Sequence, residues 1–198
     1  MGNREELLAG AKRCLIEKGY SHTTARDIAA ASGVSLAAIG YHFGSKDALM
    51  NQAVYEAVGD WADEVERALS AEGALSAEPA RRFESVMGQI IESFGGDARG
   101  LWVAQLELLG LLAHNEELRV FLAGIQRYAE EGLAEIFLEI DPAENPESAR
   151  LAGPVLQVLL IGMVVKWFMD PARAPTAAEL TEGLRLIARR LISPAPAE

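Results

Sequence analysis

Apolar residues recur along this chain at intervals of three and four, the spacing of one face of an α-helix. Leu7, Leu8, Ala11, Cys14 and Leu15 fall on one side of a segment from about Arg4 to Lys18, and Gly19 ends it. Ile28 and Ala29 face inward from a second segment, with Ala30 and Ala31 small enough for close approach to a neighbour. A third runs from Leu36 to about His42, and a long fourth runs from Lys46 to about Ser70. Further helices are predicted from Pro79 to Phe94, from about Asp97 to His114, and from Asn115 to near Glu139. Two more cover 148–169 and 176–191, and the terminal SPAPAE is expected to be unordered. Runs of alternating β-branched residues are missing, so the expected fold class is all-α.

The starts and stops are sharpest between Thr23 and Leu49. Thr24 is placed to cap the second helix, with Asp27 at the capping-box position. Ser32-Gly33 supplies a tight turn, Val34 anchors it, and Ser35 stands before the third helix as its cap. Gly44 breaks the chain and Ser45 caps the fourth. Two short helices about a glycine turn form the layout of a helix-turn-helix, whose second helix enters the DNA major groove.

Charge modifies this picture. The whole chain carries −11, which argues against nucleic acid. Residues 1–50, however, hold six basic and five acidic side chains, a net of +1, so the acidity belongs to residues 51–198. The single Cys14 excludes an intramolecular disulfide and reads as a small core residue in a reducing compartment. The first ten residues contain no apolar run, so no signal peptide is expected. The longest uncharged stretch, Leu151 to Val165, falls short of the roughly 20 residues that cross a bilayer. A soluble cytoplasmic protein is expected.

Gly19-Tyr20, Thr24-x-x-Asp27-Ile28-Ala29, Ala31-x-Gly33-Val34-Ser35 and Tyr41-His42-Phe43-x-Ser45-Lys46-x-x-Leu49 together resemble the tetracycline-repressor (TetR) family of transcriptional regulators. The resemblance covers roughly residues 3–62, without gaps. It implies a DNA-binding domain over 3–62, with its helix-turn-helix at about 24–43, and a helical effector-binding and dimerisation domain over 63–193. One position departs: the family pattern has Tyr where this chain has Gly40, leaving the neighbouring Tyr41 to take that phosphate contact. Gly40 also costs the third helix up to about 1 kcal/mol relative to Ala.

The resemblance implies phosphate clamps at Thr24 and Lys46. Three helix starts, at Thr24, Ser35 and Ser45, offer backbone N–H groups to phosphate, so a nearly neutral head can hold DNA with few cations. Base-reading candidates are Leu36, Ala37, Ala38, Tyr41 and His42, with Arg26 and His22 as further phosphate candidates and Arg4 a weaker one. Leu36 and the alanines offer only apolar contact, for instance to a thymine methyl. Hydrogen-bonded discrimination then falls to Tyr41 and His42.

By the same resemblance, the second domain should form a homodimer and bind a small lipophilic effector. The expected dimer surface is Val155, Val158, Leu159 and Gly162 of one helix with Leu180, Leu184, Ile187 and Leu191 of the last. The alternative for 155–169 is an internal core helix. Candidate pocket linings are Trp61, Phe83, Met87, Phe94 and Trp102, with Gln105, Leu109, His114, Phe121, Tyr128 and Met163. Each of these also fits plain core.

Enzyme patterns are missing. The residue three before each histidine is Gly19, Ile39 or Leu111 where a bundle di-iron site wants Glu. H-E-x-x-H, G-x-S-x-G, Walker and G-x-G-x-x-G patterns do not occur, and no cysteine pair is available for zinc. No metal or cofactor is expected. The sequence reads as an all-α, homodimeric, ligand-responsive repressor of a palindromic operator in double-stranded DNA. In this reading the effector shifts the long fourth helix and so changes the separation of two heads. The competing readings are a ligand-independent regulator that recruits a protein partner, and a helical carrier or enzyme with a vestigial head.

Overall fold

The computed structural model describes residues 2–71, 73 and 78–192; the 193–198 tail lies outside the described residues. Among these, nine α-helices follow one another with no strand: α1 (Asn3–Lys18), α2 (Ala25–Ser32), α3 (Leu36–Phe43), α4 (Lys46–Ala71), α5 (Pro79–Ser93), α6 (Arg99–Leu111), α7 (Glu116–Leu138), α8 (Pro146–Met169) and α9 (Ala177–Ile192). The all-α expectation holds. The chain divides into two compact units, one of residues 1–64 and 93–127, the other of 65–92 and 128–198. The boundary differs from the expected break after residue 62, because residues 93–127 pack with the head.

In the first unit, Leu7, Leu8, Ala11, Cys14 and Leu15 of α1 meet Ile28, Val34 and Ile39, the inner face of α4 (Leu49, Met50, Ala53, Val54, Ala57), and Leu101, Ala104 and Leu108 of α6. Fully burying each large aliphatic side chain stabilises the fold by roughly 1.5–3 kcal/mol. The close approach of α1 and α2 is made at Gly10, where an added Cβ would lie 2.8 Å from that of Ser32. The expectation assigned that role to Ala30 and Ala31, but Ala30 is exposed. On α6, a Cβ at Gly100 would lie 2.2 Å from the Ile16 carbonyl oxygen. Phe94 and Trp61 each stand edge-on to Trp102, whose indole N–H donates to Ser93 Oγ at 2.9 Å.

In the second unit the buried Arg82 of α5 closes the C-terminal end of α7. Its guanidinium donates to the carbonyls of Ile136 (2.7 Å) and Glu135 (3.0 Å) and pairs with Glu139 at 2.8 Å. Those carbonyls belong to the last turn, where helical donors run out, and the Glu135 carbonyl also accepts from Glu139 N–H at 2.9 Å. Gly153 lets α8 press on α7, since a Cβ there would lie 2.4 Å from the Glu130 carbonyl oxygen.

Most predicted boundaries fall within two residues of the observed ones. Thr176 and Glu179 form the expected capping box: Thr176 N–H donates to Glu179 Oε2 at 2.9 Å, and Glu179 N–H to Thr176 Oγ1 at 3.2 Å. Asn115 caps α7 through a bond from Leu118 N–H at 2.9 Å. Asp97 does not cap α6; the helix starts at Arg99 with Ala98 at the cap position and no side-chain bond. Chain reversal around Gly95-Gly96 continues two residues further than the polar residues suggest.

Measured by hydropathy rather than by uncharged length, α8 is more apolar than its 15-residue uncharged run suggests. An 18-residue window of α8 has mean hydropathy 1.8, which makes this helix long and apolar enough to cross a membrane by length and composition. Isolated charges do not cancel the apolar character of the surrounding turns.

Candidate nucleic-acid interface

The head is built around Thr24. Its N–H donates to Asp27 Oδ2 at 2.9 Å, and Asp27 N–H donates back to Thr24 Oγ1 at 3.2 Å. Lys18 also holds Asp27, and this bond, before those from Thr24, keeps the carboxyl well below the usual carboxylate range. Four N–H groups at a helix start lack intrahelical partners. Here the box occupies those of Thr24 and Asp27, which leaves the Ala25 and Arg26 N–H groups without an intrahelical acceptor. Gly33 closes α2 in the left-handed conformation (φ 72°), so the chain turns sharply into α3.

Ser35 stands at the cap position of α3, but its hydroxyl makes no capping bond. The expected cap is thereby corrected: Ala38 N–H turns to the Ser35 carbonyl at 3.0 Å, and the exposed hydroxyl stays uncommitted. Ser45 does cap α4, accepting from Ala48 N–H at 2.9 Å.

One side of α3 is anchored and the other is open. Ile39 is buried, and Ala38, His42 and Phe43 are half-buried. Leu36 (50% exposed), Ala37, Gly40 and Tyr41 (86% exposed) form the opposite face, at the i, i+1, i+4, i+5 spacing of a single helix side. The Tyr41 ring meets His42 edge-on at 4.9 Å. Of the predicted contact residues, Thr24, Arg26, Ser35, Leu36, Ala37 and Tyr41 are exposed, and Ala38, His42 and Lys46 are partly covered.

The head's cations are mostly committed within it. Lys46 lies over the Tyr20 ring at 5.6 Å, reaches the Thr23 carbonyl at 3.5 Å and pairs with Asp47 at 2.9 Å. Lys12 pairs with Asp60 at 2.6 Å, Arg13 donates to the Ala31 carbonyl, and Arg4 lies over Phe43 and donates to Gln52 at 3.0 Å. His22 lies 4.0 Å from Glu107, whose other oxygen accepts from Ser21 N–H at 3.0 Å. Periodicity could not disclose Glu107 as a partner of the head, because the pair is 86 residues apart.

The predicted pocket residues do not converge in one unit. Trp61, Phe94, Trp102, Gln105, Leu109, His114 and Phe121 belong to the first unit, and Phe83, Met87, Tyr128 and Met163 to the second. Leu109, His114 and Tyr128 are exposed, whereas Phe83, Met87, Phe94, Trp102 and Met163 are core. The first unit carries an open groove of about 630 Å³ lined by Ala48, Asn51, Gln52 and Tyr55 of α4 with Glu117, Val120, Phe121 and Ile125 of α7. Phe121 alone of the predicted residues lines it.

A buried-side, open-side α3 behind a left-handed glycine turn defines a helix-turn-helix protein. Residues 7–53 match the family model described as "Bacterial regulatory proteins, tetR family". The chain is 45% identical over 49 residues to the HTH-type transcriptional repressor AcnR of Corynebacterium efficiens, covering 25% of this chain and 26% of that one. It is 31% identical over 120 residues to the HTH-type transcriptional repressor DhaR of Mycobacterium sp. (strain GP1), covering 60% and 59%. These matches span about a quarter and three-fifths of the two repressors. The solved multidrug binding protein EbrR, complexed with imidazole, superposes with a TM-score of 0.62 at 25% identity over 100% of this chain and 98% of that one. The head is thus similar in sequence to the tetR family of bacterial regulatory proteins, and the whole chain is similar in fold to EbrR.

Proposed function

We propose that the protein is a transcriptional repressor that binds a palindromic DNA operator as a homodimer and releases it on binding a small apolar molecule. The observation that carries this reading is the open face of α3, held by Ile39 from behind and flanked in sequence by the starts of α2 and α4. Phosphate contacts fall to the Ala25 and Arg26 N–H groups with the Arg26 side chain, to Ser35, and to the start of α4 at Lys46. Those groups set register on the duplex, and α3 reads bases. A head of net charge +1 on an acidic body binds through such local contacts, with long-range repulsion limiting non-specific association.

The dimer reading rests on α8 and α9. Leu151, Val155, Val158, Gly162, Val165 and Met169 make one exposed stripe along α8, opposite its buried Ala149, Gly153, Leu156 and Met163. On α9, Leu186, Ile187, Leu191 and Ile192 are exposed, while Leu180 and Leu184 are half-buried. An apolar face of this extent calls for a covering surface, and a second copy supplies it in a self-complementary pair. The core-helix alternative for this stripe conflicts with the exposure of Val155 (59%) and Val158 (70%). The same exposure is open to a membrane reading, but α8 is one packed wall of the second unit through Gly153, and a helix-turn-helix acts in the cytoplasm.

Effector control is supported by the likeness to EbrR, which was solved with imidazole and with ethidium. An effector acts only through differential affinity for two conformations. Because α4 begins in the head and continues to residue 71, it is the element through which such a difference would reach α3. Footprinting on DNA upstream of the protein's own gene, with and without apolar compounds, tests the whole reading. Protection of two half-sites about one helical turn apart supports it, and no protection at any salt concentration overturns it.

A further inference from the structure

The outward face of α3 is unusual in what it lacks. From Val34 to Ser45 the chain contains no Arg, Lys, Asn, Gln, Asp or Glu. These are the side chains that pair bidentately with guanine or adenine, or accept from cytosine. On the outward face of α3 itself the exposed residues are Leu36, Ala37, Gly40 and Tyr41, of which only Tyr41 carries a hydrogen-bonding group; the exposed Ser35 hydroxyl stands just before the helix. His42 is half-buried against Tyr41.

Gly40 adds a second observation. Its φ is not positive, and a Cβ built on it meets nothing within 4 Å. Neither backbone conformation nor packing within the fold requires glycine there, and glycine in a helix interior destabilises it relative to alanine. What the missing side chain does provide is a smooth, backbone-deep notch midway along the exposed face, between Ala37 and Tyr41. Whatever that face meets can approach α3 more closely than a side chain would allow.

We propose that α3 recognises its half-site by apolar contact with thymine C5-methyl groups, and that Gly40 is the specificity-setting position because it admits the helix close to them. The inference rests on the DNA-reading function proposed above. Leu36 and Ala37 supply the apolar partners. The C5-methyl is the one apolar group on a base edge in the major groove, so a face without paired donors and acceptors still tells A·T from G·C there. Tyr41, at the rim, is left for phosphate or a single hydrogen bond.

The test uses the full-length protein and a duplex enriched by it from a random pool. Replacing thymine by uracil in one half-site removes only methyl groups. Each buried methyl is worth roughly a fourfold change in affinity, so a loss of threefold or more per half-site is expected. Replacing guanine by 7-deazaguanine should leave affinity within twofold. Gly40→Ala should melt no lower than the parent, bind the thymine duplex at least fivefold more weakly, and show less than a twofold response to uracil. A uracil effect under threefold, a larger loss on 7-deazaguanine, or a Gly40→Ala protein that keeps affinity and discrimination each overturns the inference while leaving the regulator reading intact. Failure to enrich any duplex overturns both.

Discussion

Tyr20 donates its hydroxyl to the amide oxygen of Asn51 at 2.7 Å, with both side chains buried, and so ties the end of α1 to the first turns of α4. Burial first, with Asp47 and Glu117 adding to it, pushes the phenol up to about 12. The neutral donor is therefore favoured in the folded state. Its contribution is complete below the ordinary phenol value near 10 and is lost as pH rises through 12. Tyr20→Phe keeps the ring under Lys46 but removes the Asn51 partner, and should lower stability by about 1–3 kcal/mol. Urea unfolding at neutral pH measures this; an unchanged midpoint would show the bond to be replaceable by water.

Gly100 presses α6 onto the Ile16 carbonyl of α1. A methyl group there meets backbone, which cannot rotate away, so Gly100→Ala must separate the two helices. Overpacking of this kind costs about 1–3 kcal/mol. The same substitution at Gly110, where a Cβ meets nothing within 4 Å, should be neutral or stabilising. Thermal melts of the two variants side by side give the comparison, and equal melting temperatures would refute the close approach.

Asp27 is held below its usual range by Lys18 first and by Thr24 next. A depressed folded value means the unfolded chain takes up the proton first. The stabilisation is present above the ordinary aspartate value near 4 and drains away as pH falls through the folded value. Asp27→Asn should flatten the acid limb of the stability curve between about pH 4 and 2. Denaturant titrations at stepped pH show it, and a parallel shift of the whole curve would argue against the assignment.

Val158 stands at the centre of the exposed α8 stripe. Val158→Asp places a charge where a second copy would have to desolvate it, so the variant should sediment as a monomer with unchanged helical circular dichroism. A parent protein that is itself monomeric at micromolar concentration would remove the dimer from the proposed function.

The head was legible in the sequence because its signals are local. Thr24 with Asp27, Gly33, Gly44 and Ser45 act on residues three or four positions away, and each behaves in the fold as its chemistry predicts. Ser35 and Asp97 show the limit: Ser35 stands at the cap position of α3 without bonding, and Asp97 lies one residue before the cap position of α6. The dimer stripe was half legible. Leu151, Met169, Leu186 and Ile192 are as exposed as Val155, Val158, Ile187 and Leu191, whereas Leu159, Leu180 and Leu184 are half-buried; α8 is apolar all round, and periodicity cannot say which side is packed. The aromatic candidates for a pocket were the least legible, since a tryptophan at helical spacing fits a core and a cavity equally well.

Local chemistry alone was enough to determine the nine helices of the described residues, the glycine turn and the uncharged face of α3, because hydrogen-bond geometry and side-chain period act over one or two turns. Tertiary structure decided the rest. It placed residues 93–127 with the head, brought Glu107 to Ser21, aimed Arg82 at the carbonyls ending α7 and turned Val158 outward. Those outcomes depend on which surfaces meet, and contacts between residues 50 or more positions apart leave no periodic trace along the chain.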